Sequence, residues 1–472
     1  MSTGDPGGTG VIPADRSLRP LAGVLAAIAA SVTGTRISLI ALPWFVLVTT
    51  GSATRTGLVA FCEMAPYVLV KALSGPLVDR TGPRTVSWTT DLVSAAAAVA
   101  IPLLHTLDLL SFPVLLGLVA VIGSARGPGD LAKEVMVPEA AERAGTPLER
   151  AMGLSGVIER LASTIGPAAG GALVALFGPM TGLVVNAGCF VLGSVIVAVA
   201  LPRGTGRPAV APSAPAEAQE PGYWRRFGEG FTHLRGDPLL LAVIVVVGIT
   251  NLLDAALTTL MIPVWAGASG NGPAAIGLVS TAMGAAAVCG SLIAAMAAHR
   301  LPRRAVFLVG FLLAGAPRFL VLAVDAPLAV VLAVFAVSGF GAGFINPVLG
   351  AVFVERVPRR MLGRVNALGD SLAWSGIPLG GLLAGAAVTA AGLTPVLLVC
   401  GAAYFLTTTL AGLRPEWRAM DRTREHGVPR GGGSGRGEGG ALITACRSAR
   451  QGGGSPPTVR RAAGPCRPSG AG

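Results

Sequence analysis

The sequence predicts an all-helical integral membrane protein with about twelve spans. Three observations carry that expectation. Of 472 residues, 52% are hydrophobic and only 13% are charged, against about 25% charged in soluble globular domains. The apolar residues gather in runs near the roughly 20 residues that a helix needs to cross a bilayer core. The basic residues between these runs fall in alternate loops, as they do when one face of a membrane protein is cytoplasmic.

The first run, Leu21–Val48, follows a polar N-terminus with no small-residue cleavage site before the next span. It is expected to be a retained helix, not a removed signal. Gly57–Leu77 and Thr85–Leu104 flank a short charged turn, and Ser111–Ala132, Ala151–Leu176 and Met180–Leu201 complete a first set of six. The second set is Leu239–Ala266, Ala274–Ala297, Ala305–Val324, Pro327–Phe353, Val365–Ala391 and Leu393–Leu413. Arg80-Thr81-Gly82-Pro83-Arg84 after the second run is echoed by Arg300-Leu301-Pro302-Arg303-Arg304 after the eighth. Arg150 opens the fifth run and Arg364 the eleventh, which fits two pseudo-symmetric six-helix halves.

The expected organisation is an N-terminal segment 1–20, a first half 21–201, a linker 202–238, a second half 239–414 and a tail 415–472. The linker begins rich in Pro and Ala, as flexible chain does. Its end carries Trp224, Phe227, Phe231 and Leu234 at helical spacing beside Arg225, Arg226 and Arg235. That pattern predicts a short helix on the inner membrane surface. The tail is rich in Gly, Arg, Ser and Pro and is expected to be disordered and basic.

One set of loops carries Arg80 and Arg84; Lys133, Arg143 and Arg150; Arg203, Arg207, Arg225, Arg226 and Arg235; Arg300, Arg303 and Arg304; Arg356, Arg359, Arg360 and Arg364. The opposite set carries Arg55 and otherwise no Lys or Arg. The positive-inside rule therefore puts both termini in the cytoplasm of a multi-pass protein of the cell membrane. The net charge of +12 is spread over these loops, so membrane lipid is an expected partner and nucleic acid is not. Cys62, Cys189, Cys289, Cys400, Cys446 and Cys466 lack metal-ligand spacing, and His105, His233, His299 and His426 are isolated. No metal site or cofactor is expected. Neither Lys71 nor Lys133 belongs to a phosphate-cradling Gly-Lys-Ser/Thr loop, and no nucleophile constellation points to an enzyme.

Two arginines and an aspartate break membrane-like sequence between Gly75 and Arg84. Glycines at Gly75 and Gly82 permit close approach and positive φ, and the arginines resist crossing the membrane. Asp79 is placed to face a neighbouring helix N-terminus, where the macrodipole favours negative charge. Gly75, Asp79, Arg80, Gly82 and Arg84 resemble the loop motif after the second helix of major facilitator superfamily transporters. In the fifth run, Gly166-Pro167-Ala168-Ala169-Gly170-Gly171 resembles the motif of antiporter branches of that superfamily. Ordinary small-residue packing between membrane helices is the other reading of this segment. Arg36, Leu42-Pro43-Trp44, Gly51-Ser52 and Arg414-Pro415-Glu416-Trp417-Arg418 look like the macrolide-efflux and siderophore-exporter branch. The resemblance covers nearly all of residues 20–418. It implies a cavity between the halves lined by helices one, four, seven and ten.

Charges within the spans each cost ~2.5–3.5 kcal/mol on insertion scales at a helix centre, so they are candidates for mechanism. Arg36 and Asp254 lie near the middle of helices one and seven and are expected to face each other across the cavity. Arg126 and Asn346 would complete a polar ring, and Asn251 lies one turn before Asp254. Asp130, one turn from Arg126, offers an intrahelical pair. Glu63 beside Pro66 is a second proton-carrier candidate, with a helix-interface hydrogen bond as its alternative. Glu159, Arg160 and Asp370 are expected in structural pairs, and Asp91 and Arg318 in local satisfaction or snorkelling.

These residues point to a secondary transporter that exports small amphipathic or hydrophobic organic molecules by proton antiport and alternating access. The cavity is expected to be mostly apolar with few charges, and the protein to be a monomer. An uptake symporter of the same fold, and a non-transporting membrane sensor or scaffold, remain open at the level of sequence.

Overall fold

The computed structural model describes residues 17–202, 231–232, 234–297, 302–357, 362–414 and 417. Among these residues every regular element is a helix, and twelve are long and apolar enough to span a membrane. They are α1 (Arg19–Thr50), α2 (Ala53–Leu73), α3 (Pro83–Thr106), α4 (Phe112–Ala144), α5 (Arg150–Phe177) and α6 (Pro179–Ala200). The second set is α7 (Pro238–Ala268), α8 (Gly272–Ala294), α9 (Arg303–Ala323), α10 (Leu328–Asn346), α11 (Ser371–Ala391) and α12 (Leu393–Leu413). Large apolar side chains such as Leu103, Leu176, Val199 and Leu406 are exposed around the bundle. In water such a surface would be costly, and in a bilayer it is the expected lipid face.

The helices α1–α6 pack among themselves, as do α7–α12, and the two sets meet mainly through α2 against α11 and α5 against α8. One end of the bundle carries the short loops at Gly51–Ser52, Gly178 and Gly392 and is called the neutral end. The other carries Arg80, Arg84, Arg150 and Arg303 and is called the basic end. Helix ends follow from local chemistry. Gly51 takes φ 62° and its N–H returns to the Leu47 carbonyl, closing α1, while the Ser52 hydroxyl accepts the Arg55 N–H to open α2. The Asp237 carboxylate accepts from the Leu239 and Leu240 N–H groups at the start of α7, and Arg356 donates to its other oxygen at 2.9 Å.

Four features differ from the expectation. Helix α4 runs on to Ala144, twelve residues past the expected end at Ala132. The hydropathy falls there, but Met136, Val137, Ala140 and Ala141 remain a buried face packed with residues of α1 and α6. Lys133 is therefore inside the bundle, 2% exposed, and is not a loop charge. Helix α7 contains a π turn, Leu257–Met261, in which the Ile262 N–H reaches the Leu257 carbonyl. Pro263 has no N–H to donate one residue later, and the Thr258 and Thr259 hydroxyls take the Asp254 and Ala255 carbonyls. Helix α9 breaks at Gly315 before Ala316-Pro317, and the eleventh run breaks at Ser375-Gly376 between Leu362–Trp374 and Ile377–Ala391.

Of the expected surface helix in the linker, Trp224 and Phe227 lie outside the described residues. Phe231 is exposed, but Leu234 is buried with Leu240, Ile244, Val357, Val365 and Leu368. At the far end Trp417 is buried and stacks on Phe307, ring centroids 4.5 Å apart.

Candidate functional site

A cavity of about 280 Å³ lies in the basic-end half of the first six helices, walled by α1, α2, α4 and α5, with Trp374 reaching it from the eleventh run. Its charged lining is Arg36, Lys71, Arg126, Asp130, Lys133, Glu134 and Glu159. No residue of α7 or α10 lines it, so it is distinct from the mostly apolar cavity expected between the halves. Helix α4 supplies four of these charges, and its continuation past Ala132 is what brings Lys133 and Glu134 to the wall.

The α2–α4 crossing is built on glycine. A side chain at Gly123 would collide with the Glu63 carbonyl, and a Cβ at Gly127 would lie 2.9 Å from the Tyr67 carbonyl oxygen. Without side chains there the backbones approach closely, and Glu63 meets Arg126. The Arg126 Nη1 donates to Glu63 Oε1 at 3.0 Å, and its guanidinium lies 4.5 Å over the Tyr67 ring. Asp130 stands 3.6 Å from Arg126 Nε, one turn along the helix. The expected partner Asp130 is thus present, and the cross-helix pair with Glu63 is the shorter of the two. Behind them Lys133 donates to Asp91 at 2.7 Å with both side chains buried. Asp91 therefore finds its ion-pair partner on a neighbouring helix and does not snorkel. Lys71 pairs with the more exposed Glu134 at 3.0 Å.

Arg36 is placed differently. Its aliphatic stem lies on the backbone of α5 at Gly166, where a Cβ would come 2.7 Å from Arg36 Cβ. Gly170 makes the same room for Ile37, and a Cβ at Gly171 would lie 2.9 Å from Gly277 Cα on α8. The segment of Gly166, Pro167, Gly170 and Gly171 is therefore a double crossing of α5 with α1 and α8. The buried Arg36 Nε has no hydrogen-bond partner.

Asp254 does not face Arg36 in an ion pair. It accepts from Arg318 Nη2 at 2.6 Å, with Arg318 1% and Asp254 36% exposed. Arg318 also lies 5.9 Å over the Tyr404 ring. The break in α9 explains the pairing: a side chain at Gly315 would collide with Tyr404, and the new helical turn after Pro317 carries Arg318 inward. Gly315-Ala316-Pro317 was the sequence signal for this bend. Asn251 Nδ2 donates to the Ala373 carbonyl at 3.0 Å, joining α7 to the eleventh run. Asn346 is exposed, so the four residues of the expected polar ring are not brought together by direct contacts among the described residues.

In the charged turn, Gly75–Thr81 forms a short helix ended by Gly82 at φ 87°. Arg84 donates to the Leu201 and Ala198 carbonyls at 2.9 and 2.6 Å, capping the end of α6. Asp79 and Arg80 are exposed and make no ion pair among the described residues. The Arg364 side chain lies outside the described residues.

The two sets of helices close on each other toward the neutral end. A side chain at Gly57 would collide with the Gly381 carbonyl, and a Cβ at Gly385 would lie 2.7 Å from the Ala53 carbonyl. Thr54 and Thr389 share a hydroxyl–hydroxyl bond of 2.7 Å. On the other side Thr281 donates to the Thr164 carbonyl at 3.0 Å. The charged cavity lies beyond this seam, toward the basic end.

The family model described as transmembrane secretion effector matches residues 20–429. The multidrug efflux pump Tap of Mycolicibacterium fortuitum is 30% identical over 406 residues, covering 85% of this chain and 97% of that protein. Its counterpart in Mycobacterium tuberculosis is 30% identical over 423 residues, with 87% and 97% covered. The crystal structure of the nucleoside transporter NupG superposes with a TM-score of 0.66 at 14% identity, covering 86% of this chain and 99% of that one.

Proposed function

Because the chain belongs to the transmembrane secretion effector family of major facilitator transporters, and is thus a multi-pass membrane transporter and not an enzyme, we propose that it exports small amphipathic organic molecules by proton antiport and alternating access. The observation that carries this reading is the pairing of a seam at the neutral end with a charged cavity on the basic side. A carrier that alternates needs one closed end and one open end at a time. The basic loops favour a cytoplasmic basic end, so this state is read as inward-facing, ready to take substrate from inside a cell membrane. On the same reading, 21–201 and 239–414 are the two rocking halves, 202–238 joins them, and both termini, including the tail 415–472, are cytoplasmic. The efflux pumps that share 30% identity support the outward direction.

Proton coupling is assigned to the carboxylates held by arginine within the spans. Glu63 with Arg126, and Asp254 with Arg318, are each a carboxylate paired with a guanidinium within the spans, and on this reading separation of the pair lets the carboxylate take up a proton. Arg36 keeps a part in the cavity, but Arg318 replaces it as the partner of Asp254. The test is ethidium transport in reconstituted vesicles. Glu63→Gln and Asp254→Asn should lose efflux driven by a pH gradient and keep ethidium counterflow, which moves no net proton. Full gradient-driven efflux in both variants and in the double variant would overturn the coupling assignment. Accumulation with the proton gradient instead of against it would identify a symporter.

A further inference from the structure

Of the four cations that line the cavity, three are engaged. Arg126 is held by Glu63, Lys133 by Asp91 and Lys71 by Glu134. Arg36 is the exception among the described residues. Its Cβ and Cγ pack on Gly166, its guanidinium makes no ion pair, and its buried Nε, like that of Arg126, is without a hydrogen bond. A buried charged donor left unsatisfied is costly unless something else binds it. Glu159 lines the same cavity, and the two form no ion pair. Glu159 is exposed on the α5 wall. Tyr67 and Trp374 supply aromatic surface beside them.

We propose that Arg36 and Glu159 are the two polar anchors of the substrate site, and that the site takes zwitterionic molecules with a flat apolar body. The substrate's carboxylate would pair with Arg36, its ammonium would lie toward Glu159, and its body would rest on Tyr67 and Trp374. Arg is suited to this because its planar fork receives a carboxylate through two parallel hydrogen bonds. Gly166 is then a positioning residue that holds Arg36 at the wall. The inference rests on the reading of this cavity as the substrate path.

Equilibrium binding to the purified protein in detergent tests it, with three probes: norfloxacin, a zwitterion; its ethyl ester, which lacks the carboxylate; and N-acetylnorfloxacin, which lacks the basic amine. Arg36→Gln should weaken norfloxacin by about tenfold or more and leave the ester unchanged. Arg36→Lys should recover part of that loss, and serves also should Arg36→Gln fail to fold. Glu159→Gln should weaken norfloxacin and spare the N-acetyl compound. Equal losses for norfloxacin and the ester, or no loss for either, would overturn the assignment of Arg36. Absence of norfloxacin binding to the parent protein would overturn the inference as well. Ethidium counterflow in vesicles decides the transport reading separately, since it requires neither anchor to meet a zwitterion.

Discussion

Asp254 of α7 and Arg318 of α9 are joined at 2.6 Å, with the guanidinium almost fully buried and the carboxylate a third exposed. The asymmetry has a consequence for stability. Asp254→Asn leaves a buried guanidinium without its counter-charge, a change that costs ~3–5 kcal/mol in buried pairs. Arg318→Met leaves a carboxylate with some access to water and replaces the guanidinium with an apolar side chain of similar length, so its cost is expected to be smaller. The double variant should be more stable than Asp254→Asn alone. Unfolding of the purified protein in detergent measures all three. Equal and additive losses would show that the pair contributes no coupling.

Thr54 and Thr389 meet at 2.7 Å between α2 and α11. Cysteines at these two positions, in a background without the native cysteines, are placed to form a disulfide. Oxidation should stop transport by locking the neutral end shut, and reduction should restore it. Continued transport by the oxidised, crosslinked protein would mean that this seam does not open during the cycle.

Asp79 is exposed and makes no ion pair among the described residues in this state. Asp79→Asn should therefore leave the unfolding transition within about 0.5 kcal/mol of the parent. It should nonetheless slow transport, because the carboxylate is proposed to act when the basic ends close, near Gly363 and Arg364, by charge–dipole attraction. A transport rate equal to the parent's would remove Asp79 from the mechanism.

The orientation is open to a direct check. Single cysteines at Ser111, Ser269 and Thr394, all at the neutral end, should react with an impermeant thiol reagent added to intact cells. A cysteine at Thr81, exposed at the basic end, should react only after the cells are opened. Labelling at Thr81 from outside would invert the proposed topology.

The twelve spans were legible because each needs only a local property, a run of apolar residues about 20 long, and lipid imposes that condition on every one. Gly166 and Gly171 were legible as small-residue positions for the same reason, and Gly82 as the end of a turn. Helix α4 beyond Ala132 was not, because its continuation depends on neighbours. Lys133 reads as a loop charge until Asp91 of α3 is brought to 2.7 Å, and the buried face of Met136 and Val137 has no meaning without α1 and α6 to cover it.

The class of protein, the number of spans and the alternation of basic loops all follow from composition along the chain. Glu63, Arg126 and Asp254 could be singled out because a charge in an apolar run is expensive wherever it points. Which charge meets which depends instead on how the helices pack. Arg318 turns inward because Gly315 and Pro317 break its helix beside Tyr404, and Glu63 reaches Arg126 because Gly123 and Gly127 let two backbones touch. Hydropathy assigns a depth to a charge but no azimuth around the helix, and an ion pair requires both.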